Sequence, residues 1–213
     1  MPTESRRCHH HDVRIDDFLL PDTPATRAAA SLAERYQSPA ITAHALRSWY
    51  WAEGFAALDG LDAVDHELLA VAALLHDVGT VTEFDNHTLS YEHAGGHVAV
   101  ALTTGAGWEP TRQRRVLDVI VRHNWPAVDV ALDVEGHLLE RATGLDVSGA
   151  GADVLPTDFL REVLAAHPRG ELAEEFGACV VDQAARKPTT AARRLVDGDV
   201  LGKLARNPLE SVS

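Results

Sequence analysis

Apolar positions recur at helical spacing along most of this chain, in stretches separated by glycine and proline. Thr23-Pro24 and Ser38-Pro39 each combine a helix-capping side chain with a first-turn proline. Alternating runs of β-branched residues, which are typical of strands, are almost absent. The pattern predicts an all-α fold, with helices over residues 24–37, 40–58, 64–78, from about 90, 109–123, 134–145, 157–166 and 171–185, and two short ones between 190 and 206.

The most apolar of these stretches, Leu68 to Leu75, is followed directly by His76 and Asp77. An imidazole and a carboxylate at a buried helix end are costly unless both are satisfied, and a divalent metal satisfies both. His44 is a candidate third ligand, because it lies among apolar residues on the preceding helix. Asp146 is a candidate fourth. A carboxylate just past a helix C-terminus is electrostatically disfavoured unless a cation lies opposite.

Composition and charge limit the function classes. With 213 residues, 46% of them hydrophobic, we expect a polar N-terminal arm (1–23), one main domain (24–188) and a C-terminal helical tail packed on it (189–213). The net charge of −13 argues against a nucleic-acid partner. Two cysteines, the absence of a signal-peptide pattern and short apolar runs predict a cytoplasmic protein away from membranes. The expected partner is a small-molecule substrate. The sequence is compatible with either a monomer or a homo-oligomer. The Cys8 and His9–His11 tract is expected to bind metals only adventitiously.

Several motifs together resemble one family, the HD-type cyanamide hydratases of the HD superfamily. The resemblance covers about residues 39 to 190 and is carried by Thr42-Ala43-His44-Ala45-Leu46-Arg47, Leu74-Leu75-His76-Asp77-Val78-Gly79-Thr80, Leu89-Ser90-Tyr91-Glu92 with Gly95-Gly96, Ile120-Val121-Arg122-His123, Ala142-Thr143-Gly144-Leu145-Asp146, His167-Pro168-Arg169, Phe176 and Lys187-Pro188. One position departs from the family pattern, because Thr189 stands where an aromatic residue usually follows Lys-Pro.

The resemblance implies an HD-domain helical bundle with a mononuclear metal site and a hydro-lyase activity. Metal-bound hydroxide would add to the nitrile of cyanamide, or of a similar small nitrile, to give urea. Zinc is the expected ion and iron the second choice. The implied ligands are His44, His76, Asp77 and Asp146. The expected catalytic residues are His123, Glu92, Asp77 and Arg47, and the expected pocket residues are Trp51, Tyr91 and Thr80, in a small, mostly enclosed cavity.

Three other functions stay open at this stage. An HD phosphohydrolase would need several cations at the site, and Arg47 and Arg122 are the two available by position. A dinuclear HD oxygenase would need a second metal, bound by His123 with His93 or His97, since Tyr91 stands where another ligand would be expected. A non-catalytic domain stabilised by its metal would have the same His-Asp pair.

Overall fold

The computed structural model describes residues 13–212, and within them the regular structure is helical without strands, which confirms the all-α prediction. The tract with Cys8 and His9–His11 lies outside the described residues. The helices are α1 (Pro24–Tyr36), α2 (Pro39–Asp59), α3 (His66–Leu75), α4 (Tyr91–Gly105), α5 (Pro110–Arg122), α6 (Val134–Ser148), α7 (Thr157–Ala166), α8 (Leu172–Arg186), α9 (Ala191–Asp197) and α10 (Val200–Ala205). Short 3-10 turns lie at Ile15–Asp17, Val78–Thr80 and Pro208–Ser211.

Capping side chains fix the helix boundaries that the sequence predicts. The Thr23 hydroxyl accepts a hydrogen bond from the Thr26 amide, and the Ser38 hydroxyl accepts one from the Ile41 amide. Gly60 ends α2 in the left-handed region at φ 64°, where glycine has no steric penalty. Helix α2 is therefore held at both ends, and this is the helix that carries His44.

Helix α3 lies at the centre of the core. Every residue from Leu68 to Leu75 is buried, and the helix packs against α1, α2, α4, α5 and α6. It ends at Leu75, three residues earlier than predicted, and a 3-10 turn at Val78–Thr80 follows. His76 and Asp77 thus lie in the short connection between the two, surrounded by the core.

Glycines bring α4 against this connection. A Cβ at Gly79 would lie 2.1 Å from the Tyr91 carbonyl oxygen, and one at Gly95 would lie 3.0 Å from the Leu75 carbonyl oxygen. Real Cβ atoms do not approach so closely, so only glycine fits at Gly79. The small size of Gly79 and Gly95 is therefore what lets α4 pack directly against this connection.

A second apolar cluster joins the C-terminal helices to the rest of the chain. Leu172, Phe176, Val180, Val200 and Leu204 pack together with the start of α2 and with Tyr91. Lys187, which is buried, donates to Asp85 at 2.7 Å and to the Leu89 carbonyl at 3.0 Å, which ties the connection before α4 to α8. None of the helices within residues 13–212 is long and apolar enough to cross a membrane.

Candidate metal centre

Three buried side chains from two parts of the chain converge at the end of α3. His44 from α2 and the adjacent pair His76 and Asp77 each offer one ligand atom, and these atoms all lie within 4.8 Å of one another. The two Nε2 atoms of the histidines are 3.1 Å apart. Asp77 Oδ2 is 3.3 Å from His76 Nε2 and 3.5 Å from His44 Nε2. This is the spacing of a group that could surround one ion.

The other ring nitrogens determine which tautomer each histidine adopts. His76 Nδ1 lies 2.8 Å from the Ala73 carbonyl oxygen, and His44 Nδ1 lies 2.7 Å from Asp146 Oδ2. A carbonyl or carboxylate oxygen only accepts, so both Nδ1 atoms carry the hydrogen. Without an ion, burial lowers the pKa of His76, but Asp77 outweighs burial and raises it. When both rings are neutral, as metal binding requires, their two Nε2 lone pairs point at each other. Such an arrangement is repulsive without a cation and is the usual orientation of metal-binding histidines.

The Asp77 carboxylate has the same need for a cation. It is 2% exposed, and within residues 13–212 neither of its oxygens has a hydrogen-bond partner. Burial opposes its ionisation, but His76 and His44 outweigh this and hold the pKa of Asp77 below its ordinary value. An unpartnered buried carboxylate is a costly arrangement. The donor set of two neutral imidazoles and one ionised carboxylate fits a divalent ion, with zinc or iron both compatible.

Asp146, predicted as the fourth ligand, lies behind His44 instead. The carboxylate accepts from Arg47 Nε at 2.8 Å and Arg47 Nη2 at 2.7 Å, and from Trp51 Nε1 at 3.0 Å, in addition to His44 Nδ1. These contacts outweigh burial and hold the pKa of Asp146 well below its ordinary value, through Arg47 first and His44 second. Both oxygens are already engaged, so this arrangement does not support Asp146 as a ligand. Its contacts orient His44.

Arg47, predicted as a catalytic residue, does not line the cavity. It is fully buried, and its remaining amino group, Nη1, donates to the carbonyls of His167 at 3.0 Å and Pro168 at 2.9 Å. Arg47 is thus the cation that the sequence analysis expected opposite Asp146. Trp51, predicted to crowd the metal, packs edge-on against Phe159 and lies outside the cavity lining.

The cavity beside the three ligands has a volume of about 200 Å³. Tyr91 lines it as predicted, whereas Thr80 does not and donates its hydroxyl to the Asp77 carbonyl at 2.7 Å. The cavity extends farther than the sequence suggests. Its outer wall comes from α6, α8, α9 and α10, through residues that include Glu140, Thr143, Val147, Phe176, Arg194, Leu195, Val200 and Lys203.

His123 follows α5 and faces the cavity. Its ring centre is 4.8 Å from that of His76, and its Nε2 is 3.9 Å from Asp77 Oδ1. Its Nδ1 donates to the Ile120 carbonyl, so Nε2 is the ring nitrogen with the lone pair. Burial first, and the charge of His76 second, lower the pKa of His123 to about 3. A neutral imidazole therefore faces the cavity at physiological pH.

Sequence reasoning missed Asn124, which holds this histidine in place. The Asn124 side-chain nitrogen lies 2.8 Å from His123 Nε2 and 2.8 Å from the Tyr91 hydroxyl oxygen. Its only sequence signal is a polar residue directly after a helix-terminal histidine. Arg169, whose Nη1 donates to the Asp146 carbonyl at 2.6 Å, was included only as part of a family motif.

Glu92 does not reach the metal cavity. It is buried, accepts from the Ser90 hydroxyl at 2.6 Å and lines a neighbouring recess with His93. His93 lies in that recess and His97 is exposed, so neither lies beside the three ligands. The structure thus gives no support to a catalytic Glu92 or to a second metal bound through these histidines.

Comparison with known proteins agrees with this site. The family model described as the HD domain matches residues 41–143, a range that contains His44, His76, Asp77 and His123. This chain contains an HD domain. It is 28% identical over 176 residues to Cyanamide hydratase DDI2 and to Cyanamide hydratase DDI3 of Saccharomyces cerevisiae, an alignment that covers 78% of this chain and 76% of each relative. The HD domain and these relatives together support a metal-dependent enzyme of the HD type.

Proposed function

We propose that this protein is a metal-dependent hydro-lyase that adds water to the nitrile of cyanamide, or of a closely related small nitrile, to give urea or the corresponding substituted urea. The observation that carries the proposal is the unpartnered Asp77 carboxylate facing two histidine lone pairs in one cavity. The similarity to proteins named cyanamide hydratase supplies the reaction class. Zinc is the proposed ion, with iron as the alternative.

The residues of the chain would have distinct roles around the substrate. A divalent ion held by His44, His76 and Asp77 would lower the pKa of a water molecule and polarise the nitrile. The neutral His123 lies beside the cavity, with its Nε2 lone pair held by the Asn124 side-chain nitrogen. The Asn124 side-chain nitrogen also donates to the Tyr91 hydroxyl oxygen. The Tyr91 hydroxyl hydrogen would then be the donor for the nitrile nitrogen, which gains negative charge as water adds.

The structure does not place at the cavity the two cations that the sequence suggested for a phosphohydrolase. Arg47 is engaged by Asp146 and two carbonyls, and Arg122 pairs with the buried Asp133 and lies over the Trp125 ring. Neither lines the cavity. Two other cations, Arg194 and Lys203, do line the cavity. The hydratase proposal is therefore favoured by the similarity to proteins named cyanamide hydratase and not by a lack of cations.

Elemental analysis followed by a urea assay tests the proposal. Protein lacking residues 1–12, which removes the His9–His11 tract, should contain about one divalent ion per chain, and it should form urea from cyanamide in a reaction that a chelator abolishes. Asp77→Asn should lose both the ion and the activity, whereas Asp62→Asn, a change at an exposed acid, should keep them. Two ions per chain, or phosphate release from a nucleoside monophosphate without urea formation, would contradict the proposal.

A further inference from the structure

The outer part of the metal cavity is larger than cyanamide requires. Cyanamide has three non-hydrogen atoms, and one water takes about 30 Å³ of liquid volume, so a cavity of about 200 Å³ leaves space beyond the reacting group. That space lies toward α9 and α10, away from His44 and His76. A longer substrate could extend into it.

Two cations without carboxylate partners line this outer space. Nearly every Arg and Lys within residues 13–212 is paired with Asp or Glu, and the exceptions are Arg35, Arg114, Arg194 and Lys203. Two of these four, Arg194 from α9 and Lys203 from α10, line the metal cavity. In a chain with a net charge of −13, carboxylates are abundant, so unpaired cations at one cavity are notable.

The acids nearest in sequence are paired with other arginines. Asp197 pairs with Arg193, and Asp199 pairs with Arg206 at 3.0 Å. Arg194 and Lys203 are left facing the cavity, with Glu140 of α6 as the one carboxylate from that part of the wall. Two cations and one anion leave a net charge of +1, which matches a single carboxylate better than a phosphate dianion.

We infer that the substrate carries a carboxylate, bound between Arg194 and Lys203, while its nitrile lies beside His44, His76 and Asp77. This inference rests on the proposed function and makes it more specific, because it selects an N-substituted cyanamide with an acidic end over cyanamide itself. The cations are exposed, so each is expected to contribute about two- to fivefold in Kd. Together they should give roughly tenfold at low salt.

A matched pair of ligands tests the inference. N-(carboxymethyl)cyanamide and its primary amide have nearly the same size and differ in charge. Isothermal titration calorimetry on the metal-loaded full chain should show the acid bound about tenfold more tightly than the amide, with the ratio falling as ionic strength rises. Arg194→Gln and Lys203→Gln should each reduce the ratio. Arg114→Gln, a change at an unpaired exposed arginine on α5 outside the cavity, should leave it unchanged.

The outcomes separate this inference from the proposed function. Equal binding of acid and amide, or a preference that survives both cavity variants, would overturn the carboxylate site, and so would tighter competition by inorganic phosphate than by acetate. Hydration is scored separately by formation of the substituted urea. Preferential binding of the acid without hydration of either compound or of cyanamide would support the carboxylate site and overturn the proposed reaction.

Discussion

At the residue scale, the Arg47–Asp146 pair fixes the orientation of His44. Both partners are almost completely excluded from solvent, and removing one partner of such a pair leaves an uncompensated buried charge. Asp146→Asn should therefore destabilise the metal-free protein by about 3–5 kcal/mol in urea unfolding, and Arg47→Met combined with it should recover part of that loss. If Asp146 were only a metal ligand, the metal-free variant would be as stable as the metal-free wild type.

Asn124 gives a second prediction at this scale. Asn124→Ala leaves the Tyr91 hydroxyl and His123 Nε2 without their partner, at a cost of about 1–3 kcal/mol for a buried polar group. We expect a lower kcat with the metal content unchanged, because none of the three ligands contacts this amide in the structure. Tyr91→Phe, which removes the same hydrogen bond from the other side, is the matched variant. Loss of the ion in either variant would contradict the assigned role.

The sequence predicts which residues form the candidate metal site better than it predicts the hydrogen-bond partners of the residues around that site. His76 and Asp77 stand out because two polar residues follow an apolar run, and helical spacing adds His44. The direction of a side chain such as Arg47 depends on how α2 packs on α6, some 99 residues away in the chain. No local pattern encodes that packing, so the predicted substrate contact was replaced by a contact with Asp146.

At the element scale, the close approach of α4 to the 3-10 turn positions Asp77. Gly79→Ala would place a methyl group 2.1 Å from the Tyr91 carbonyl oxygen, so α4 would have to move away from the turn. We expect lower metal affinity together with a lower melting temperature. At Gly105, at the end of the same helix, no described residue lies within 4 Å of the added carbon. Gly105→Ala should therefore leave the metal affinity unchanged and should not lower the melting temperature.

Helix positions were predictable because caps, prolines and glycines act locally. The predicted and observed bounds of α7 agree, and those of α1 differ by one residue. The larger misses are at α3, which ends three residues early, and at α6, which continues to Ser148. At α3 the close backbone approach at Gly79 decides the boundary. Helix α6 instead ends at a local cap, because Gly149 adopts the left-handed region at φ 76°.

At the scale of the whole molecule, the C-terminal helices complete the cavity. Leu204 is 1% exposed in the cluster that joins α10 to α8, and Asn207 donates to the Asp146 carbonyl at 2.9 Å. Leu204→Ala should cost about 2–5 kcal/mol of local stability and make residues after 188 sensitive to limited proteolysis while the ion stays bound. Leu201→Ala, at the exposed side of the same helix, should behave like the wild type. Loss of the ion together with the proteolysis would contradict the prediction that metal binding does not depend on the residues after 188.

The HD family match ends at residue 143, before the helices that form the outer cavity wall. The proposed metal ligands come from α2 and the end of α3, whereas Arg194 and Lys203 come from the last 25 residues of the chain. Under the two proposals made above, the residues for the reaction and the residues that select the substrate are encoded in separate stretches of the gene. Exchanging only the C-terminal stretch between relatives would be a way to retarget the enzyme while keeping its reaction.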